Sequence, residues 1–175
     1  MDRDVTDATS AENPFWDYSV EVYGRDGARD TCLALQDEAG ADVNLVLFFC
    51  WIASSGRGRL TRAEIQSAMA AVAVWRVQVL LPLRRVRDRL KANQGSDEAA
   101  LRKDLQKLEL QAERLEQDRL FKGLPRDRVP LETTADARRG DAEYNCSVYF
   151  DELGIELSDG LQQAFERLID TATRD

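Results

Sequence analysis

Histidine is missing from this 175-residue chain, and only three cysteines are present. Histidine is the commonest metal ligand and general base, and it activates the nucleophile of many serine and cysteine enzymes. Cys32, Cys50 and Cys146 have unrelated spacings and apolar neighbours, which is typical of buried reduced thiols. The sequence therefore predicts no catalytic residue, no metal site and no cofactor, and it favours a protein that is not an enzyme.

Long apolar segments are also missing. The longest apolar run, residues 45–53, is far shorter than the ~20 residues that a membrane-spanning helix needs. The first residues are acidic and lack the apolar centre of a signal peptide. We therefore expect no membrane partner and a cytoplasmic location.

The net charge of −8 is unevenly distributed. Residues 57–93 carry a net charge of +7 between acidic flanking segments, which is typical of internal charge complementarity. The acidic remainder argues against nucleic acid as a partner. Candidate residues for binding an acidic protein partner crowd the end of this basic segment: Arg84, Arg85, Arg87 and Lys91. The favoured alternative is internal pairing with carboxylates early in the next helix: Asp97, Glu98 and Asp104.

Capping residues and apolar periodicity predict an all-α fold, a single bundle of about seven helices. The expected N-caps are Asn13, Asp26, Asp42, Thr61, Asp141 and Ser158. Residues 61–93 and 97–122 are predicted to form a long antiparallel hairpin, with a kink at Pro82 in the first helix. Residues 1–12 are predicted to be a disordered tail, and residues 13–175 one domain with a mobile linker at 123–140.

The two hairpin helices carry apolar residues at four-three spacing, which predicts a seam between them. In the first helix the predicted seam is Ile65, Met69, Val72, Arg76, Val79, Leu83, Val86 and Leu90. In the second it is Leu101, Leu105, Leu108, Ala112 and Leu115. Arg76 is the one charged residue among them, and because arginine does not lose its proton it needs a carboxylate or water.

Six polar residues lie on or beside apolar faces and are candidates for a ligand site: Asp17, Gln36, Asp37, Asp42, Asn44 and Arg76. The favoured interpretation is structural, with one buried pair between Arg76 and Asp17, Asp37 or Asp42. The alternatives are a pocket for an anion at the helix that begins after Asp42, or a divalent metal on paired carboxylates. The segments that begin at Asn44 and Asn145 are similar; the favoured interpretation is chance similarity between two helical hairpins, and the alternative is that the two asparagines occupy related positions in the bundle.

Several short motifs resemble a bacterial family of small proteins catalogued as of unknown function. They are Phe15-Trp16-Asp17 with Ser19, Leu35-Gln36-Asp37, Gly40-Ala41-Asp42-Val43-Asn44, and Trp75 followed by Pro82-Leu83-Arg84. The resemblance covers residues 13–93 well and extends weakly to Tyr149 and Gly154. It implies no activity, because the family has no agreed catalytic residues.

These patterns favour a cytoplasmic interaction or scaffold protein whose hairpin meets another protein. The alternative is a small-ligand or anion-binding domain, conceivably an enzyme, centred on Arg76 and the Asp42–Asn44 helix start. A pocket with converging polar groups would favour the alternative, whereas an exposed apolar patch would favour the scaffold.

Overall fold

The computed structural model describes residues 13–92, 95–125 and 127–174, so the predicted tail at 1–12 lies outside the described residues. Those residues form seven helices and no strand, packed as one helical body, which confirms the predicted fold class. The helices are α1 (Pro14–Tyr23), α2 (Ala28–Asp37), α3 (Val43–Ser54), α4 (Arg62–Leu90), α5 (Ser96–Lys122), α6 (Ala135–Leu153) and α7 (Asp159–Ala172).

Most of the predicted helix starts are confirmed. The side chain of Asn13 accepts hydrogen bonds from the first turn of α1, and Asp42 caps α3 in the same way. Thr61 and Glu64 form the expected capping box at α4. Asp26 as the cap of α2 is wrong: the helix follows Gly27, whose φ of 73° is a conformation that glycine adopts without a side-chain clash.

The start of α6 also differs from the prediction. The helix begins at Ala135, where the Thr134 hydroxyl accepts the N–H of Ala137, and not after Asp141. Gly140 therefore lies inside the helix, where one glycine costs only about 1 kcal/mol and does not end a 19-residue helix. The segment between α5 and α6 is accordingly shorter than predicted, at 123–134.

The centre of the core is α3, in which every residue from Asn44 to Ala53 is buried. It packs against α6 along its length and against α1, α5 and α7 on other sides. Aromatic contacts join these layers, with ring centroids 5.2 Å apart for Phe15 and Phe48 and 5.5 Å apart for Phe49 and Tyr149. A helix that is apolar all round requires such cover on every face.

The predicted hairpin of α4 and α5 is confirmed, and α4 continues through Pro82. Before the proline, residues Arg76–Leu80 form a π turn, in which the N–H of Leu81 donates to the carbonyl of Arg76 five residues earlier. A π turn adds one residue to a helix. The inward face of α4 therefore moves forward by one position beyond this point.

This extra residue makes the predicted seam wrong in the second half of α4. Leu80 is buried, and Arg84 and Arg87 pair with carboxylates of α5. Val86, by contrast, is 46% exposed. On α5 the buried stripe runs through Leu105, Glu109, Ala112 and Glu116, while Leu101, Leu108 and Leu115 lie at its edge.

Asn145 joins α6 to the segment before α4. Its side chain is fully buried, accepts the N–H of Leu60 at 2.8 Å and donates to the carbonyl of Gly58 at 3.3 Å. Because α3 and α6 pack together, the two similar segments that begin at Asn44 and Asn145 are neighbours in the core. The side chain of Asn145 forms hydrogen bonds with the segment before α4, and that of Asn44 forms hydrogen bonds with α5.

Asn145→Ala is expected to lower the free energy of unfolding by about 2 kcal/mol, because it leaves a buried N–H and a carbonyl without partners. Urea unfolding followed by circular dichroism measures this. Ser147→Ala, on the exposed side of the same helix, is the control and should change it by less than about 0.5 kcal/mol. Equal effects of the two changes would contradict the structural role of Asn145.

Candidate functional site

A polar cluster surrounds the first turn of α3, beginning with Asp42. One carboxylate oxygen of Asp42 accepts the N–H of Asn44 at 3.0 Å, which caps the helix. The backbone N–H of Asp42 donates to the hydroxyl of Tyr149 at 2.8 Å. The start of α3 is thus held from α6 as well as by its own cap.

Arg76, at the start of the π turn, completes this contact from α4. Its guanidinium lies 2.8 Å from the second carboxylate oxygen of Asp42 and donates to the carbonyl of Gly40 at 3.0 Å. The Asp42 side chain is buried and that of Arg76 is one-fifth exposed. Arg76 therefore has the carboxylate partner that the sequence requires, and of the three candidates that partner is Asp42.

The helix α5 adds two buried residues to the cluster. The amide of Asn44 donates to the Glu116 carboxyl at 2.6 Å, and the amide of Gln117 donates to the Asn44 oxygen at 2.8 Å. Burial raises the pKa of Glu116 to about 8, and the negative charge of Asp42 adds to this rise. At neutral pH the Glu116 carboxyl is therefore mainly protonated.

The structure brings only some of the predicted ligand residues together. Asp42, Asn44 and Arg76 lie together, whereas Asp17 and Asp37 are exposed outside the cluster. Gln36 is half-buried and lines a neighbouring cleft.

Three members of the cluster were missed: Glu116, Gln117 and Tyr149. The similarity between the segments beginning at Asn44 and Asn145 does not indicate Tyr149 as a member, because it aligns Tyr149 with Phe48 and not with a residue that contacts Asp42. Glu116 follows Leu115, which the heptad pattern assigned to the seam.

The basic residues at the end of α4 are mostly paired within the chain, as favoured. Arg84 lies 2.7 Å from Glu113 and Arg87 lies 2.6 Å from Glu109. These carboxylates lie further along α5 than the expected Asp97, Glu98 and Asp104. Lys91 pairs with Asp88 at 2.7 Å, and Arg85 is exposed.

A cleft of about 670 Å³ lies beside the polar cluster. Helices α1 to α5 all contribute to its lining, which includes Asn44 and Gln117 of the cluster and apolar residues of α1, α3 and α5. Across the described ranges, no group of three or more cysteine, aspartate or glutamate residues is placed to hold a metal ion. The site therefore combines a polar cluster, whose residues bond to one another, with a largely apolar cleft.

Comparison with known families shows the family of this chain. A family model described as a protein of unknown function (DUF2390) matches residues 14–120, more than half of the chain. The chain belongs to this family. No curated protein and no solved structure matches it.

The family match confirms the resemblance seen in the short motifs, but it stops at residue 120 and does not include Tyr149 and Gly154, to which the resemblance extends weakly. It contains Asp42, Arg76 and Glu116 and all of the hairpin except the last two residues of α5, and it ends before α6 begins. Because the family description names no activity, function has to be argued from the structure.

Arg76→Ala is expected to lower the free energy of unfolding by about 3 kcal/mol, because it leaves the Asp42 carboxylate buried without its counter-charge. Arg76→Met combined with Asp42→Asn should recover most of this loss, since asparagine still caps α3 and no charge remains buried. Urea unfolding of the three proteins measures both effects. An unchanged stability in Arg76→Ala would mean that water already solvates the guanidinium.

Glu116→Gln is expected to change how stability depends on pH. The folded pKa of about 8 lies above the unfolded value of about 4.3, so between these values the folded protein holds a proton that the unfolded chain lacks. Wild-type stability should therefore fall as pH rises from 5 to 8, and Glu116→Gln should remove this part of the fall. Urea unfolding at pH 5, 6.5 and 8 tests this, and parallel profiles of the two proteins would contradict it.

Proposed function

We propose that the protein is an interaction module whose hairpin binds an amphipathic helix with acidic flanks on another protein. The binding surface, called here the hairpin strip, consists of Leu83, Val86, Leu101, Leu108 and Leu115. One observation carries the proposal. These apolar residues have the spacing of residues that pack between two helices, but they lie to one side of the contact between α4 and α5.

The strip follows from the geometry of the hairpin. Arg87 pairs with Glu109, so Val86 and Leu108, one residue earlier on each helix, lie level with each other. In an antiparallel pair, residues that precede the inward positions of both helices project to the same side. Leu83 and Leu115 stand in the same relation to inward-facing Arg84 and Glu116, and they therefore extend the strip along the hairpin.

The exposed apolar area is large for one side of a helix pair. Leu101, Leu108 and Leu115 are 52%, 50% and 49% exposed, and their seven-residue spacing places them in one line. By length and composition, α4 is long and apolar enough to cross a membrane, alone among the described helices, but the stretch with this composition ends before Val86 and adds nothing to the strip. An apolar surface of this kind is typical of a protein contact.

The charge at the border of the strip favours an acidic partner. Arg85 and Arg89 immediately precede Val86 and Leu90 and are both exposed. Within the described part of the chain neither forms an ion pair, whereas Arg84 and Arg87 are paired with α5. Acidic residues beside the apolar face of a partner helix would complement these two guanidinium groups.

Two other occupants fit less well. A second copy of the chain would meet the strip with the same patch, which would bring Arg85 and Arg89 of both copies together. A bilayer surface would require a broad apolar face, whereas the strip is one line of side chains on each helix. A single helix with seven-residue periodicity matches its shape.

Site-specific photo-crosslinking in cells of the source organism tests the proposal. Benzoylphenylalanine in place of Leu108 should give one adduct with another protein, and in place of Leu131, which is 70% exposed outside the strip, it should give none. Adding Arg85→Glu and Arg89→Glu to the Leu108 probe should reduce the adduct at least fivefold, because the acidic partner is then repelled. Adduct yield on denaturing gels is the measurement.

Three outcomes would overturn this function. The first is no adduct from position 108, or equal adducts from 108 and 131. The second is an adduct with twice the mass of the chain, which would make the strip a contact between copies. The third is sedimentation with anionic vesicles that Leu108→Glu abolishes, which would make it a membrane-binding surface.

A further inference from the structure

We infer that the cleft between α1, α3 and α5 binds a small apolar molecule that carries a neutral head group with a hydrogen-bond donor. The cleft volume of about 670 Å³ lies within the range of small-molecule sites. Five helices contribute to its lining, with α1, α3 and α5 supplying most of the residues. This site is separate from the hairpin strip and shares none of its five residues.

The body of the ligand is assigned by the apolar lining. Trp16 and Val20 of α1, Leu47 of α3 and Leu110 of α5 all line the cleft. Val20 and Leu110 are 55% and 54% exposed, although each belongs to a helix that packs in the core. An apolar ligand would remove both side chains from water, which is the main favourable contribution to binding at such a surface.

The head group is assigned by Gln117. This residue lines the cleft but is only 3% exposed, and its amide N–H donates to Asn44 at 2.8 Å. Its carbonyl oxygen is buried, with no hydrogen-bond partner among the described residues. A buried acceptor without a donor is unfavourable, so a ligand hydroxyl or amine that reaches this oxygen would remove the cost.

The charged residues of the lining favour a neutral head group. Arg84 and Glu113 both line the cleft, and they are paired with each other at 2.7 Å. Because each charge of this pair is already balanced by the other, neither a ligand carboxylate nor a ligand cation would find an uncompensated opposite charge there. A hydroxyl or an uncharged amine needs no such charge.

The test uses N-phenyl-1-naphthylamine, an apolar fluorophore with one N–H donor whose emission rises in an apolar site. The purified protein should bind it saturably at one site per chain. Decanol should displace it, and decanoate should need at least a tenfold higher concentration. Leu110→Arg and Val20→Arg should each weaken fluorophore binding at least tenfold, whereas Leu153→Arg, at a 46% exposed position on α6, should change it less than twofold.

Far-ultraviolet circular dichroism of each variant establishes that it is folded, and the two cleft variants on different helices guard against failure of one. The proposal is overturned if the fluorophore does not saturate or if decanol does not displace it, because the cleft then holds only solvent. It is also overturned if Leu108→Arg weakens binding while Leu110→Arg does not, since the fluorophore would then lie on the hairpin strip. Tighter binding of decanoate than of decanol would refute the neutral head group.

Discussion

The ion pair between Arg76 and Asp42 fixes where four helices meet. Asp42 uses one oxygen to cap α3 and the other to neutralise Arg76 of α4, while its backbone N–H is held by Tyr149 of α6. The first turn of α3 is tied to α5 through Asn44. Apolar contacts have no preferred direction, whereas the buried Asp42 carboxylate is tolerated only where the Arg76 guanidinium meets it. The polar cluster therefore sets the relative positions of these helices within the core.

The π turn that begins at Arg76 has the second large effect on the structure, because it determines which residues of α4 face α5. Pro82 lacks the N–H of a regular helix, and its ring clashes with the carbonyl four residues earlier. A widened turn just before the proline allows α4 to continue, but the extra residue rotates everything after it. Arg84 and Arg87 then face the carboxylates of α5, while Val86 is turned to the side and exposed and Leu83 stays half-buried. One local backbone constraint thus produces both the internal charge pairing and the exposed apolar strip.

Sequence reasoning predicted the helices better than their faces. Caps such as Asn13 and Thr61 are local signals, so the helix count, the hairpin and most helix starts could be read directly. The partner of Arg76 was narrowed to three aspartates by elementary electrostatics, and one of them is correct. The residues of α4 that face α5 beyond Arg76 could not be predicted, because a regular heptad pattern does not anticipate the residue that the π turn inserts.

The failure to predict Glu109 and Glu116 as buried residues has a related cause. Glu109 and Glu116 occupy buried positions beside Leu108 and Leu115, where the apolar pattern points to the leucines. Glutamate is buried only when a partner or a proton compensates its charge, and neither is visible along a single helix. Glu109 has Arg87, while Glu116 has the amide of Asn44 and a raised pKa. Both compensations depend on tertiary contacts.

The extent of the family match separates two roles within the chain. Residues 14–120 contain all residues of the hairpin strip and of the cleft lining. Outside this range, α6 and α7 both pack against α3, and α6 supplies Tyr149 and Asn145 to its surroundings. Because α3 is apolar on all sides, the matched segment alone would leave part of it exposed to water. We infer that α6 and α7 complete the core, while the hairpin strip and the cleft, for which we propose a partner and a ligand, both lie in the matched segment.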